Sequence, residues 1–185
     1  EDWLCQHLAD SLRFDNLATR PVVLFLNGEY WGIYFLEEKA DEHYIEEHHG
    51  VDSREVDLLA YWGDEVENGS AERGDVLCQW LLADGTDLGR HSSEVDTAAV
   101  MDYMLMQILI LNDDWPVSNV RQWAAEGRPW RWIFFDADGA LASFPDNAAI
   151  LDYMTYRASG PTSHTSPQST LLFRRLLANR TFLEA

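Results

Sequence analysis

The sequence predicts an α+β fold in which β-hairpins pack with a long buried helix. Asn27-Gly28 separates two apolar runs, which is the strongest short-range signal for a hairpin. Two further strand-like segments, 120–124 and 130–135, flank a turn at Gly127. Between the hairpins, residues 96–111 carry apolar side chains at helical spacing. A chain of 185 residues normally folds as one domain with a substantial core.

The N-terminal part predicts helix, hairpin and helix in that order. Leucines at helical spacing indicate an amphipathic helix over residues 3–17, which Pro21 ends. The hairpin follows, with strands over 22–26 and 30–36. A second helix then runs through His49 and stops at Gly50.

The rest of the chain predicts alternating short elements. A strand over 57–61 precedes an acidic, glycine-rich surface loop over 63–74. A helix over 75–82 leads to a turn region with Gly85 and Gly89. Asp96 caps the long helix. Beyond the second hairpin we expect a loop over 159–169 and a last helix from about residue 169.

Composition limits the classes of function. Hydrophobic residues make up 46% and charged residues 24%, which is ordinary for a globular protein. There are 32 acidic residues against 13 Lys and Arg, a net charge of −19, and Lys39 is the single lysine. This charge argues against nucleic-acid partners and favours metal ions or basic proteins, although it also suits a surface adapted for solubility. No apolar run approaches the roughly 18 residues of a membrane span.

Several side chains have an ordinary structural explanation. We expect the hairpin aromatics in the core, although they would also suit a sugar-binding platform; they are Tyr30, Trp31, Tyr34 and Phe35. Histidines 43, 48 and 49 suit an exposed polar helix face, since their spacing does not predict zinc. Cys5 and Cys78 are either paired or separately buried.

One arrangement points to chemistry. Asp114 and Asn119 follow the long helix with the spacing D-x-x-x-x-N, which protein kinases use in the catalytic loop. The second hairpin then leads into Asp136 and Asp138. We expect the two loops to converge, because in kinases a metal-binding Asp lies beside the catalytic loop in this way. The carboxylate and amide oxygens of the two loops would then suit Mg²⁺. The same residues are also typical of helix ends and turns, so an ordinary pair of acidic loops stays open.

Six blocks of sequence resemble the CotH family, atypical protein kinases named for a bacterial spore-coat protein. The blocks are NGEYWGIYFLEEKAD (27–41), VD (51–52), VDLL (56–59), NDDWP (112–116) with Asn119, WRWIFFDADG (130–139) and LLFRRLLAN (171–179) with Phe182. The resemblance extends over nearly the whole chain. Since the chain begins and ends within helical patterns, we expect both ends to be cut.

The resemblance implies a protein-kinase-like fold fragment comprising part of the small lobe (1–41) and most of the catalytic lobe (42–185). It implies ATP and Mg²⁺ or Mn²⁺ as cofactors and protein Ser or Thr hydroxyls as acceptors. By match to the family, Asp114 is the catalytic residue, and the metal ligands are Asn119, Asp136 and Asp138. The family also implies a location in the bacterial spore coat, at the cell surface or outside the cell.

The segment 37–41 resembles the stretch that joins the two lobes beside the adenine, so Glu38, Lys39 and Asp41 are the candidate nucleotide contacts. Alternatively, Lys39 is an exposed lysine that pairs with neighbouring acidic side chains. The phosphate-clamping lysine of kinases has no counterpart here, and we expect it upstream of Glu1.

The sequence departs from the family pattern at two places. Ser118-Asn119 replaces the usual Asn-Asn, and Gly139-Ala140 replaces Phe-Gly after Asp138. The acidic surface suits a basic, Ser-rich protein substrate. The alternative functions are an inactive pseudokinase or scaffold, and a secreted module that binds a partner or a glycan through exposed aromatics.

Overall fold

The computed structural model describes residues 1–83, 93–141 and 171–178, whose backbone combines helices with two sheets. The helices are α1 (Asp2–Ala9), α2 (Glu42–His49), α3 (Glu72–Leu82), α4 (Thr97–Leu109) and α5 (Leu171–Leu177). The strands are β1 (Asp15–Asn16), β2 (Thr19–Leu26), β3 (Glu29–Glu37), β4 (Asp57–Ala60), β5 (Glu65–Asn68), β6 (Arg121–Ala125) and β7 (Arg128–Phe134). The predicted α+β class is confirmed.

A five-stranded mixed sheet forms the central layer, with the strand order β1-β7-β6-β4-β5. β1 runs parallel to β7, and the other neighbours are antiparallel. Successive residues of one strand lie in different cores: Leu58 packs in one apolar cluster and Leu59 in the other. Because side chains alternate across a strand, the sheet is covered on both faces. No helix in the described ranges has the length and apolarity needed to cross a bilayer.

Local sequence signals explain several element ends. Asn27 and Gly28 adopt positive φ of 52° and 85°, as the turn between β2 and β3 requires. Asp41 caps α2 by accepting from two backbone amides, and Gly50 ends that helix with φ 66°. Asp96 accepts from the Ala99 amide at the start of α4. The predicted turn at Asn27-Gly28, the helix end at Gly50 and the cap at Asp96 are confirmed.

Two predicted elements and one predicted boundary are wrong. The first helix ends at Ala9 instead of continuing to residue 17, because the chain turns and β1 pairs with β7. Pro21 lies within β2 rather than before it. The acidic segment expected as a loop over 63–74 contains β5, which pairs with β4, and α3 begins at Glu72. The predicted turn around Gly85 and Gly89 and the loop over 159–169 lie outside the described residues.

The aromatic side chains of β2 and β3 are exposed, so the prediction that they lie in the core is wrong. Among the described strands, β2 and β3 pair only with each other. Tyr30 is 62% exposed and Trp31 53%, while Phe35 stacks on Trp3 of α1 at 5.8 Å. This hairpin therefore presents an apolar surface to solvent. Cys5 and Cys78 are both free thiols, and Cys5 is buried.

A buried ionic network joins β1 to the sheet. Asp15 accepts from the Trp123 indole at 2.7 Å and from the Arg131 guanidinium at 2.9 Å, and it contacts His49 Nε2 at 3.1 Å. Arg131 also pairs with Asp96, the cap of α4. Burial alone would raise the pKa of Asp15, but the hydrogen bonds from His49 and Arg131 outweigh burial and hold that pKa below its ordinary value. His49 is thus half-buried, which corrects the predicted exposed face of three histidines.

Replacing Arg131 by methionine should destabilise the fold severely. The substitution leaves the Asp15 carboxylate buried without its main cation, which typically costs about 3–5 kcal/mol of unfolding free energy. Urea unfolding measured by tryptophan fluorescence checks this expectation. The control is Arg54→Met, which breaks an exposed ion pair with Asp52 and should leave the midpoint unchanged. Equal midpoint shifts in the two variants would contradict a central role for the network.

Candidate functional site

Two acidic loops lie against each other beyond the ends of α4 and β7. We call them the α4 loop (residues 112–119) and the β7 loop (residues 136–139). The Asn119 side-chain amide donates to the Asp136 carbonyl at 2.9 Å, and the Asp113 amide lies 3.5 Å from the Gly139 carbonyl. Just outside the loops, the Leu141 amide donates to the Ile110 carbonyl at 2.7 Å. The carboxylates of Asp114, Asp136 and Asp138 are all exposed on this surface.

The residue types at the loop contact suit its backbone conformation. Asn119 and Asp136 have positive φ of 56° and 53°. Asn and Asp tolerate this left-handed region better than other side chains do, because their short polar groups bond locally. The Ser118 amide donates to the Asp114 carbonyl at 2.9 Å and closes a turn within the α4 loop. The two ends of the D-x-x-x-x-N spacing are therefore held by one turn and one contact between the loops.

Gly139 lets the two loops approach closely. A Cβ atom at this position would lie 2.9 Å from Asp114 Oδ2, which is closer than real contacts allow. A larger residue here would oblige the Asp114 carboxylate to rotate away. The departure from the family's Phe-Gly pattern therefore has a local consequence, since glycine allows Asp114 to lie against the β7 loop.

The carboxylates of the site repel one another. Partial burial raises the pKa of Asp136 above its ordinary value, and the neighbouring negative charges of Asp138, Asp2 and Asp114 raise it further. None of these four acids forms an ion pair within the described ranges. The site therefore concentrates negative charge, and no side chain of the described residues compensates it with an ion pair.

Sequence reasoning missed two acids that lie at this site. Asp2 of α1 accepts from the Ala137 amide at 2.8 Å and so anchors α1 to the β7 loop. Glu37, at the end of β3, shares a hydrogen bond with Asp2. Asp2 lies at a helix start, where acids are common, and nothing in the sequence singles it out. Glu37 stands in one of the blocks that carry the family resemblance, which was a usable signal.

Trp62, which sequence reasoning also missed, contacts the α4 loop. The Trp62 indole donates to the Pro116 carbonyl at 2.9 Å, and its ring lies 6.1 Å from that of Trp132. Trp62 and the preceding Tyr61 both have positive φ, of 62° and 49°. Bulky residues rarely adopt this conformation, which costs about 1–3 kcal/mol each, so the surrounding contacts must hold it.

The three predicted nucleotide contacts form interactions of their own. Glu38 accepts from the Ala18 amide at 2.8 Å and contacts His48 at 2.9 Å. Asp41 caps α2 and pairs with Lys39 at 3.1 Å. Lys39 itself is exposed, in agreement with the view that it pairs with neighbouring acids. Their predicted contact with a nucleotide stays a prediction.

The donor chemistry of the site fits a hard divalent cation. Carboxylate oxygens and the Asn119 amide oxygen are the ligands that Mg²⁺ prefers, and the mutual repulsion around Asp136 is what a cation would relieve. Within residues 1–83, 93–141 and 171–178, no three Asp, Glu, His or Cys side chains converge as a ready-made metal cage. Magnesium commonly binds through one or two carboxylates together with substrate phosphates, so such a cage is not required.

Glu37 should make stability depend on pH. Burial, the hydrogen bond with Asp2 and the charges of Asp2 and Asp136 raise its pKa from 4.5 to about 8. A carboxyl whose pKa is raised in the folded state contributes its stabilisation fully below about pH 4.5 and loses it as the pH rises through about 8. In Glu37→Gln, the unfolding free energy should therefore fall less between about pH 5 and about pH 9 than in wild type.

Urea unfolding at the two pH values measures this difference. The control is Glu47→Gln, an exposed glutamate of α2, which should keep the wild-type dependence. An unchanged pH dependence in Glu37→Gln would show that the contact between Asp2 and Glu37 does not shift the titration.

Comparison with protein families agrees with the resemblance found in the sequence. The model of the family described as CotH kinase protein matches residues 1–77 and 86–185, which include both acidic loops. No curated protein matches the chain significantly. Because the match covers far more than half of the chain, the protein belongs to the CotH kinase protein family.

Proposed function

We propose that this chain is the catalytic part of a protein kinase that uses ATP and Mg²⁺ or Mn²⁺ to phosphorylate Ser or Thr hydroxyls of a protein substrate. The observation that carries this proposal is the contact between the α4 loop and the β7 loop, through Asn119 Nδ2 and the Asp136 carbonyl at 2.9 Å. This contact brings the kinase-like spacing and the second acidic cluster into one exposed site. Membership of the CotH kinase protein family supports the reaction class.

Asp114 is the proposed catalytic residue. Its exposed carboxylate would accept a hydrogen bond from the substrate hydroxyl and orient that oxygen toward the γ-phosphate of ATP. As the hydroxyl oxygen bonds to the γ-phosphorus, the bond from that phosphorus to the β,γ-bridging oxygen would break, ADP would leave, and Asp114 would receive the hydroxyl proton. The turn closed by the Ser118 amide constrains the Asp114 backbone, and the absence of a side chain at Gly139 leaves room for the Asp114 carboxylate beside the β7 loop. Phosphoryl transfer depends mainly on such positioning and on charge neutralisation.

Asn119, with Asp136 or Asp138, would hold the metal. The bound cation would neutralise charge on the β- and γ-phosphate oxygens. Asn119 donates through Nδ2 to the β7 loop, so its Oδ1 is the atom available as a ligand. A cation would also lower the raised pKa of Asp136 and keep that carboxylate ionised.

The segment that contains Glu38, Lys39 and Asp41 is the proposed nucleotide-contacting stretch. Glu38 and Asp41 hold it in place through the Ala18 amide and the start of α2. Lys39 would then supply the one exposed positive charge of the segment.

Removal of the proposed ligands should abolish phosphorylation. In an autophosphorylation assay with radiolabelled ATP and Mg²⁺, Asp114→Asn and Asp136→Asn should each reduce labelling about a hundredfold or more, because each removes a charge needed at the reacting centre. The full-length protein is the appropriate sample. The control, Asp75→Asn, changes an exposed aspartate of α3 and should label like wild type.

Two results would contradict this assignment. Labelling that is unchanged in both site variants would place the chemistry elsewhere. Metal-dependent ATP binding by wild type without any transfer to protein would instead identify a pseudokinase or scaffold that keeps the nucleotide site.

The charge of the protein predicts the substrate preference. A surface with a net charge of −19 attracts cationic peptides and repels acidic ones. Ser peptides flanked by Lys or Arg should therefore be phosphorylated with kcat/KM at least about tenfold higher than the same peptides flanked by Glu, and the ratio should fall as salt is added. Equal rates for both peptides would remove the basic, Ser-rich class from the proposal.

A further inference from the structure

A buried pair of amide side chains lies directly beneath the α4 loop. Asn112 and Gln107 are both 0% exposed. The Asn112 Nδ2 donates to Gln107 Oε1 at 2.9 Å, and the Asn112 backbone amide donates to the Gln107 carbonyl at 3.2 Å. Asn112 Oδ1 in turn accepts from the Asp114 backbone amide at 3.3 Å. The pair therefore connects the last turns of α4 to the backbone of Asp114.

This pair stands where the chain leaves the helix. Leu111 has a positive φ of 56°, so α4 cannot continue through this residue, and the chain turns into the α4 loop. Asn112 Oδ1 also lies 3.7 Å from the position that a Cβ of Gly139 would take. Asn112 is therefore in position to influence both acidic loops. Buried polar side chains are costly unless they are hydrogen-bonded, which makes the geometry of this pair specific.

Further polar groups are buried next to this pair, although Gln107 Nε2, the Tyr103 hydroxyl and Trp115 Nε1 have no hydrogen-bond partner within the described residues. The Tyr103 hydroxyl lies beside the side chains of Gln107 and Trp115, which act to lower its pKa, although burial outweighs them and raises it. The rings of Tyr103 and Trp115 meet edge to face at 6.4 Å. Trp115 is fully buried and is the residue next to Asp114. Asp114 thus lies two residues after the buried Asn112, which contacts Gln107, and directly before the buried Trp115, which packs on Tyr103.

We propose that Asn112 and Gln107 are positioning residues that fix the Asp114 backbone, and hence its carboxylate, relative to the β7 loop. The catalytic meaning of this inference rests on the proposed kinase function. Neither side chain reaches the solvent-exposed site, so neither touches the substrate. Loss of the pair should leave substrate binding intact and lower the rate of the chemical step.

Three substitutions test the pair in graded steps. Gln107→Met keeps the volume but removes the acceptor for Asn112. Asn112→Ser keeps an oxygen that can accept from an amide two residues further on but does not reach Gln107. Asn112→Leu removes both hydrogen bonds at similar volume. The control, Gln122→Met, replaces another buried glutamine, in β6, that has no part in the pair.

Amide hydrogen exchange of Asp114, measured by NMR on the full chain, reads the positioning directly. Exchange should accelerate about tenfold in Gln107→Met and more in Asn112→Leu, with Asn112→Ser in between, while the amides of β6 and β7 keep wild-type rates. The Gln122→Met control should leave Asp114 unchanged. Peptide phosphorylation should show kcat reduced about tenfold or more with the KM for ATP unchanged.

Three outcomes would overturn the inference. They are unchanged Asp114 exchange in folded Gln107→Met, an equal acceleration at Asp114 and in β6 and β7, and a rise in KM without a fall in kcat. If Asn112→Leu does not fold, Gln107→Met decides, because it leaves the loop sequence intact. If wild type transfers no phosphate, the proposed function fails, and the exchange rates alone still decide whether the pair fixes Asp114.

Discussion

The ion pair between Asp15 and Arg131 is the interaction on which the rest of the structure depends. Asp15 lies on a two-residue strand that would contribute little by backbone pairing alone, and it is 6% exposed. A carboxylate buried to this extent is costly unless hydrogen bonds and an opposite charge compensate it. The Arg131 guanidinium and the Trp123 indole supply that compensation from β7 and β6. Because Arg131 also pairs with Asp96, the same residue connects the start of α4 to the sheet.

The candidate site follows from this arrangement, since the elements that the network holds are the ones that end in the two acidic loops. β7 leads into the β7 loop, and α4 packs on β7 and leads into the α4 loop. The hydrogen bond between Asn112 and Gln107 lies where the chain leaves α4. The Asn119 side chain then donates to the Asp136 carbonyl and joins the two loops. The chain thus uses buried polar contacts inside the fold to place exposed carboxylates whose own mutual interactions are repulsive.

The sequence predicted the elements whose signals are local and missed those that depend on distant partners. The turn at Asn27-Gly28, the cap at Asp96 and the strand before Asp136 are each specified by a few adjacent residues, and all three are present. The helix predicted through residue 17 failed because its periodic leucines gave no sign that Asp15 pairs with Arg131, 116 residues away. β5 was missed because its polar, exposed sequence pairs with β4 only in the folded chain. At the site, the D-x-x-x-x-N spacing indicated which residues belong together, but the involvement of Asp2 and Trp62 required the fold.

The distribution of ion pairs favours an external cation at the two acidic loops. Within the described residues, several arginines form ion pairs that join elements or stabilise turns; among them are Arg13, Arg54, Arg73, Arg121 and Arg131. None of these arginines pairs with Asp114, Asp136 or Asp138 in the part of the chain that the structure describes. A protein with 32 acidic residues and 13 Lys and Arg cannot neutralise all its carboxylates internally. Among the described residues, three of the carboxylates without an ion pair lie where the two loops meet. Under the proposed function, a divalent metal carried with the nucleotide phosphates would bring positive charge to that point in the form that oxygen ligands hold best.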